Sequence, residues 1–303
     1  MAIYDYEGNA LSMCYDYEGN ALSHAYDSEG NVVWDATPVT VRFTTYNVGD
    51  WYIGSHTLVP TNKKTAYETL QRTIFTNINT DICCMQEAPS KFCQDDTLAS
   101  TILDDFFDHL ETCAAYTSSF IPYRTYGSNI QMEDFQMVFY SSAGQEGTTK
   151  TFEKFYVTLG GRRICVIGTH LSLTKSVAIQ QASELISAVS GEQYYIICGD
   201  FNTAIHADEP DYTELTDYQT IVKPFLDAGM NSANLADFGA FYSYGSVSYE
   251  SYLQGNGYMS ATDHIFTSPN ITIDDVFADT TKLNDTIADK IDHIPLVADL
   301  TIN

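Results

Sequence analysis

The chain has 303 residues, 44% of them apolar and 13% aromatic, with 40 acidic against 14 basic residues and a net charge of −26. That apolar content supports a sizeable core and excludes a disordered chain. No apolar run reaches the ~18 residues of a membrane span, and beyond the pairs Lys63-Lys64 and Arg162-Arg163 there is no basic stripe of the kind that polyanion binders spend on phosphates.

Residues 4–36 repeat with a period of 11: YDYEGNALSMC, YDYEGNALSHA, YDSEGNVVWDA. Glu-Gly-Asn between short Tyr-containing and Leu/Val-containing stretches predicts a turn with strand arms. Three such units are too small to bury a core alone. Residues 1–36 are therefore expected to be an interaction or assembly segment through which copies of the chain associate, the alternative being a decorative extension. A calcium loop is disfavoured, because the twelve-residue ligand spacing is missing. The opening MAIYDYEGNALS has neither a basic n-region nor an apolar h-region. This predicts cytoplasmic synthesis without a Sec-type signal, with export by another route as the alternative.

From Thr37 onward strands and helices alternate. VTVRFTTYN (39–47) is a predicted strand, and NKKTAYETLQRTIFTNI (62–78) a helix with Ala66, Leu70, Ile74 and Ile78 on one face. DICCMQE (81–87) is a strand, and DDTLASTILDDFFDHLETC (95–113) a helix carrying Leu98, Ile102, Phe106 and Leu110. FQMVFYSS, KTFEKFYVTL and RRICVIGTH are successive strands, the last two joined at Gly160-Gly161. TKSVAIQQASELISAVS is a helix N-capped by Thr174. YYIICGDFN is a buried strand, and LTDYQTIVKPFLDAG a helix broken at Pro224 and ended by Gly229. A Tyr/Ser/Gly loop spans 239–260, and ATDHIFTS, ITIDDVFA and IPLVADLTI close the chain as strands. Hairpins mixed with isolated helices predict an α/β (α+β) fold, a sandwich of two sheets flanked by helices over residues 37–303, not a doubly wound parallel sheet. Seven cysteines fit no zinc spacing. Cys83, Cys165 and Cys198 lie in apolar runs, so reduced structural thiols are expected, with some disulfide pairing as the alternative.

Polar clusters end these strands in order: TYN (Asn47), QE (Glu87), GTH (His170), GDFN (Asp200, Asn202), TDH (Asp263) and DH (Asp292, His293). A strand delivers its terminal side chain rigidly to one sheet edge, so distant residues can line one pocket. Phosphodiester cleavage needs an activated water, a cation and donors around the transition-state oxygens. Glu87 is a carboxylate of the kind Mg²⁺ takes, against the plainer reading of an acid opening a loop. Asp200 and Asn202 alternate across Phe201, so both are expected to face one way, although an Asx turn explains the same residues. A His works as general base or transition-state stabiliser once a carboxylate fixes its tautomer, as Asp263 would for His293. His264, opening the apolar HIFTS, permits a mirror-image assignment that is less favoured. His170 would donate to a phosphate oxygen, or be structural.

This ordered set resembles the endonuclease/exonuclease/phosphatase superfamily, which includes pancreatic-type deoxyribonuclease, bacterial sphingomyelinases and inositol-polyphosphate 5-phosphatases, over roughly residues 39 to 302. The resemblance implies a four-layer sandwich of two mostly antiparallel sheets flanked by helices, with the site at one end of the sheets. It implies Glu87 as main ligand of Mg²⁺ (Mn²⁺ or Ca²⁺ being alternatives), with Asn47 beside it and Asp292 in the metal-side network. Asp200 would orient or deprotonate water, Asn202 and His170 would bind phosphate, and His293, held by Asp263, would be general base or phosphorane stabiliser. Abasic-site enzymes carry an acid two residues after the Asn; here Gly49 stands there, with Asp50 next. Arg124 in IPYRTYG is a weak match to a phosphate-gripping arginine.

The expected activity is divalent-metal-dependent phosphodiester hydrolysis by a nonspecific deoxyribonuclease-like endonuclease acting on nucleic acid. A phospholipid or small phosphate ester is the alternative substrate, favoured by the −26 charge. The loop with Phe241, Tyr242, Tyr244, Tyr249, Tyr252 and Tyr258 suits base stacking or a lipid interface, or is a packed surface loop. A self-assembling structural protein using the fold as scaffold is the third reading.

Overall fold

The computed structural model describes residues 24–26, 32–35, 37–48, 64–86, 105–107, 109–112, 124–127, 130, 132–143, 149–205, 211–235, 244–245, 259–281 and 293–303. Of these, 24–26, 32–35, 64–68, 109–112, 124–127, 143, 149, 244–245 and 259 are described as backbone only.

In chain order the elements are β1 (His24–Tyr26), β2 (Val32–Asp35), β3 (Val39–Asn47), α1 (Lys64–Ile78), β4 (Ile82–Gln86), β5 (His109–Thr112), β6 (Arg124–Gly127), β7 (Met132–Ala143), β8 (Thr149–Leu159), β9 (Arg162–His170) and α2 (Lys175–Ala188). There follow β10 (Tyr195–Asp200), a π-helical turn Tyr218–Val222, α3 (Lys223–Asp227), β11 (Asn231–Ser232), β12 (Tyr244–Gly245), β13 (Met259–Ser260), β14 (Asp263–Thr267), β15 (Ile271–Ala278) and β16 (Leu296–Ile302). The third 11-residue unit supplies β2 and the end of the second unit begins β1, and the two strands pair antiparallel.

Two six-stranded sheets form the body, ordered β11-β14-β10-β9-β8-β7 and β15-β16-β3-β4-β6-β5. Each holds one parallel pair, β9/β10 and β3/β4, and every other pairing in both is antiparallel. A parallel pair needs a crossover, and a helix makes it each time: α1 joins β3 to β4, and α2 joins β9 to β10. The carboxyl ends of all four central strands therefore reach corresponding edges. The antiparallel neighbours β14 and β16 start there. That is the reason strand-end residues far apart in sequence converge.

The period of two decides which side chains meet. Val41 and Phe43, Ile164 and Val166, Ile196 and Cys198, and Ile265 pack between the sheets. Continuing each alternation puts Asn47, His170, Asp200 and Asp263 on that same inner face. The opposite face carries Cys165, Ile167, Ile197 and Phe266 against Ala178, Ala182 and Leu185 of α2 and Phe225 of α3. Across the molecule Leu70, Ile74 and Ile78 of α1 are buried, and Phe75 meets the Tyr46 ring edge-on. The four layers are thus helix, sheet, sheet, helix.

Three backbone positions favour glycine. Gly160 (φ +55) and Gly161 (φ +73) make the β8–β9 turn. Gly199 (φ +149) lets β10 run against β9, since a Cβ there would lie 1.9 Å from the Thr169 carbonyl oxygen.

One expectation needs correction. The helix over 95–113 does not run to its end: His109–Thr112 is a strand paired with Arg124–Gly127, a tertiary pairing that overrides local propensity. Phe106 and Phe107 just before it pack on Phe75, and residues 95–104 lie outside the described residues. Thr174 holds the N-cap position of α2 with no side-chain cap bond; its carbonyl oxygen accepts from Val177 and Ala178, and its own N–H donates to Ser172 Oγ. Pro224 falls at the start of α3, after the π-helical turn, and Gly229 (φ +84) follows its end. Cys83, Cys84, Cys165 and Cys198 are buried free thiols. No helix among the described residues is long and apolar enough to cross a membrane.

Candidate active site

Asp200 ends β10 with 1% of its surface exposed. It pairs in register with His170 of β9 on one side and Asp263 of β14 on the other. Its Oδ2 accepts from Asn47 Nδ2 at 2.9 Å and lies 3.6 Å from His170 Nε2 and 3.5 Å from His293 Nε2. Asn47 comes from the other sheet, so this one oxygen ties the two sheets at the site edge.

His293 precedes β16, and its Nδ1 lies 2.7 Å from Asp263 Oδ2, which also accepts from Thr262 Oγ1 at 3.1 Å. The Asp263 contact selects the tautomer with the proton on Nδ1. Nε2 faces Asp200, as an acceptor in the neutral ring and as a donor once the ring is protonated. Burial pushes the Asp200 carboxyl up to about 6, Asp263 adding to the rise while His293 and the bonds from Asn202 and Asn47 oppose it. Burial, with Lys150 and His293 nearby, holds His170 well below the ordinary histidine value. His170 is therefore a neutral imidazole near pH 7.

The GDFN run departs from simple alternation. Phe201 is fully buried against Phe225, Phe266 and His264. Asn202 takes φ +52, and its N–H donates to Asp200 Oδ1 at 2.7 Å, closing an Asx turn. Its Nδ2 donates to the Leu171 carbonyl oxygen at 2.8 Å. The strand stops at Asp200, and the turn sets Asn202. His264 lies on the helix side, its Nε2 3.0 Å from Thr203 Oγ1 and its ring stacked on Phe266. It belongs to the core, and burial lowers it to about 4.

The structure thus brings Asn47, His170, Asp200, Asp263 and His293 together, with Asn202 at the adjoining turn. Glu87, Asp292, Gly49, Asp50 and the side chain of Arg124 lie outside the described residues, as does loop 241–258 apart from the backbone of Tyr244–Gly245. Gln86, the last described residue of β4, pairs with Asn47, and Val48 N–H donates to its carbonyl oxygen at 3.0 Å.

Two lysines flank the turn without having stood out in the sequence. Lys175 Nζ donates to the Asn202 carbonyl oxygen at 2.6 Å and to Asp217 Oδ2, which also accepts the Ala204 N–H. Lys150 Nζ donates to the Leu171 carbonyl oxygen at 2.6 Å. Lys150 alternates with Phe152, Lys154 and Tyr156 in KTFEKFYVTL, a pattern that reads as an ordinary amphipathic strand.

Asp200, Asp263 and His293 each offer an atom that could hold a cation, all within 4.8 Å of one another. Asp263 Oδ2 and His293 Nδ1 are spent on each other, which leaves the Asp200 carboxylate as the hard oxygen donor of this group.

No protein-family model and no curated protein matches the sequence. Solved structures do match in three dimensions. A D. rerio TDP2 complexed with a single-strand DNA product superposes with a TM-score of 0.61 at 10% identity, over 86% of this chain and 98% of that one. An endonuclease/exonuclease/phosphatase protein from Bacteroides vulgatus gives 0.60 at 16% identity, over 88% and 100%. The human Nocturnin catalytic domain with bound sulfate gives 0.59 at 16% identity, over 87% and 95%. These likenesses concern the fold.

Proposed function

We propose, from the premise that this chain has the endonuclease/exonuclease/phosphatase fold, that it is a divalent-metal-dependent phosphodiester hydrolase acting as a deoxyribonuclease-like endonuclease. The observation that carries the proposal is the convergence on Asp200 Oδ2 of Asn47 from one sheet and of His170 and the Asp263-held His293.

Glu87, Asn47 and Asp292 are assigned to the cation, Mg²⁺ first, with Mn²⁺ or Ca²⁺ as alternatives. Glu87 directly follows Gln86 at the strand end beside Asn47, and Asp292 directly precedes His293. When bound, the cation supplies Lewis-acid polarisation of a phosphoryl oxygen and offsets transition-state charge. The chain's own residues do the rest. Asp200, raised to about 6, orients the attacking water and is matched to take its proton near neutral pH. His293, fixed by Asp263 through Nδ1, donates from Nε2 in its protonated form and stabilises the charge that develops on the phosphoryl group as the water adds. The Asn202 amide nitrogen carries two hydrogens; one is spent on Leu171, and the second is assigned to a phosphate oxygen. His170 donates from Nε2.

Plasmid nicking in Mg²⁺, with Glu87→Gln and His293→Ala as controls, tests the assignment. Nicking lost in both variants supports it, and equal nicking by all three preparations points to contamination. A second reading keeps this machinery and replaces DNA by a phospholipid or small phosphate ester, favoured by the −26 charge. Release of phosphocholine or inorganic phosphate without DNA cleavage selects it. Association through residues 4–36 is proposed alongside either, and equal solution mass with and without residues 1–36, after allowing for the segment itself, removes it.

A further inference from the structure

Lys150 is the only lysine or arginine that is buried among the described residues, at 7% exposure, in a chain of net charge −26. An ammonium taken out of water is costly unless it is well bonded, so its placement calls for a reason. Its Nζ reaches the carbonyl oxygen of Leu171, the residue directly after His170. That same oxygen accepts Asn202 Nδ2, and the Leu171 N–H donates to the Asp200 carbonyl oxygen at 2.8 Å. Residue Leu171 therefore links the end of β9, the end of β10 and the Asn202 side chain, and a charged donor fixes it. Charge-assisted bonds of this kind are about twice as strong as neutral ones.

We propose that Lys150 is a positioning residue of the phosphate site, holding the Leu171 carbonyl so that the Asn202 amide keeps one hydrogen on that oxygen and turns the other toward the substrate phosphate. The proposal rests on the phosphodiesterase reading above and adds to it a residue outside the strand-end set. Lys150 touches neither substrate nor cation in this assignment. It acts through Asn202 and contributes a buried positive charge beside His170. Lys175 bonds the backbone of the same turn, through the Asn202 carbonyl oxygen. Lys175 thus bonds the main chain of Asn202, while Lys150 bonds the Leu171 carbonyl oxygen on which the Asn202 side chain rests.

The test compares the full chain carrying Lys150, Lys150→Met or Lys150→Arg, each with saturating Mg²⁺ and bis(p-nitrophenyl) phosphate, reading kcat and KM. The NMR signals of the Asn202 side-chain amide are a second readout, and thermal melting reports folding. Lys150→Met is expected to lower kcat about tenfold to a hundredfold, with KM within about threefold, and to move the Asn202 amide signals. Lys150→Arg, which keeps the charge and donors, is expected to recover part of the kcat. A Lys150→Met enzyme within about twofold of the parent kcat overturns the proposal. So do unmoved Asn202 signals, or a kcat loss that Lys150→Arg does not relieve at all. If the parent chain hydrolyses no diester, the phosphodiesterase reading falls, and the Asn202 signals alone then decide whether Lys150 positions that amide.

Discussion

His293 touches two carboxylates with its two ring nitrogens: Nδ1 is 2.7 Å from Asp263 Oδ2, and Nε2 is 3.5 Å from Asp200 Oδ2. Asp263 is fully buried, and its closest contact toward the site is the His293 imidazole. Asp263→Asn keeps the shape but removes the charge that selects the tautomer. We expect kcat to fall about a hundredfold to ten-thousandfold, with folding preserved by circular dichroism. A drop below about threefold would show that His293 works without this partner.

Asp200 makes stability depend on pH in the metal-free chain. Its folded value of about 6 lies above the ordinary 3.8. The folded state therefore holds its proton more tightly than the unfolded one. Stability from this group is full below 3.8 and is lost as pH rises through about 6. The loss is on the order of 2–3 kcal/mol. Urea unfolding in chelator at pH 4.5 and pH 7 should show it in the parent chain and not in Asp200→Asn. A parent chain whose Asp200-dependent stability rises over that interval contradicts the sign.

Gly199→Ala places a Cβ 1.9 Å from the Thr169 carbonyl oxygen, a backbone atom that cannot swing aside. The variant must part β10 from β9 next to Asp200. We expect about 3 kcal/mol or more of destabilisation by chemical denaturation, and lower activity even where it folds. Gly161→Ala, with nothing within 4 Å of the new methyl, has only its positive φ to contend with and should cost less.

Chelation should abolish hydrolysis, and added Mg²⁺ or Mn²⁺ should restore it. Glu87→Gln should raise the Mg²⁺ concentration for half-maximal activity by about tenfold or more. An unchanged metal titration would remove Glu87 from the cation site. Isothermal titration with Mg²⁺ checks the same point without turnover.

The site edge was legible in the sequence because strands are short, apolar and end abruptly. VTVRFTTYN and RRICVIGTH end where their strands end, at Asn47 and His170, while the strand in YYIICGDFN stops at Asp200, and these three polar residues meet in the structure. The period of two then assigns Asn47, His170, Asp200 and Asp263 to one face. Asn202 was placed by a turn rather than by alternation, because a left-handed backbone depends on the bond to Asp200 Oδ1. His109–Thr112 looked helical because Leu110 extends an apolar ladder, while its partner strand lies at Arg124–Gly127 and leaves no local mark. Lys150 could not be singled out at all. Its burial comes from where the carbonyl of Leu171 lies in space, and an alternating strand shows nothing of that.

The second sheet is assembled from both ends of the described chain: β3 and β4 from the beginning, β15 and β16 from the finish, with Arg42 and Asp299 bonded across them at 2.6 and 2.8 Å. β16 and His293 are translated after β3, β4, β9, β10 and β14. A ribosome that has already made Asn47, His170, Asp200 and Asp263 has therefore not yet made the His293 that meets them. On the proposed reading, closure of the open sheet by β16 beside β3 and arrival of His293 beside Asp200 are one event, so such a chain would gain its last catalytic group only as the sheet is completed.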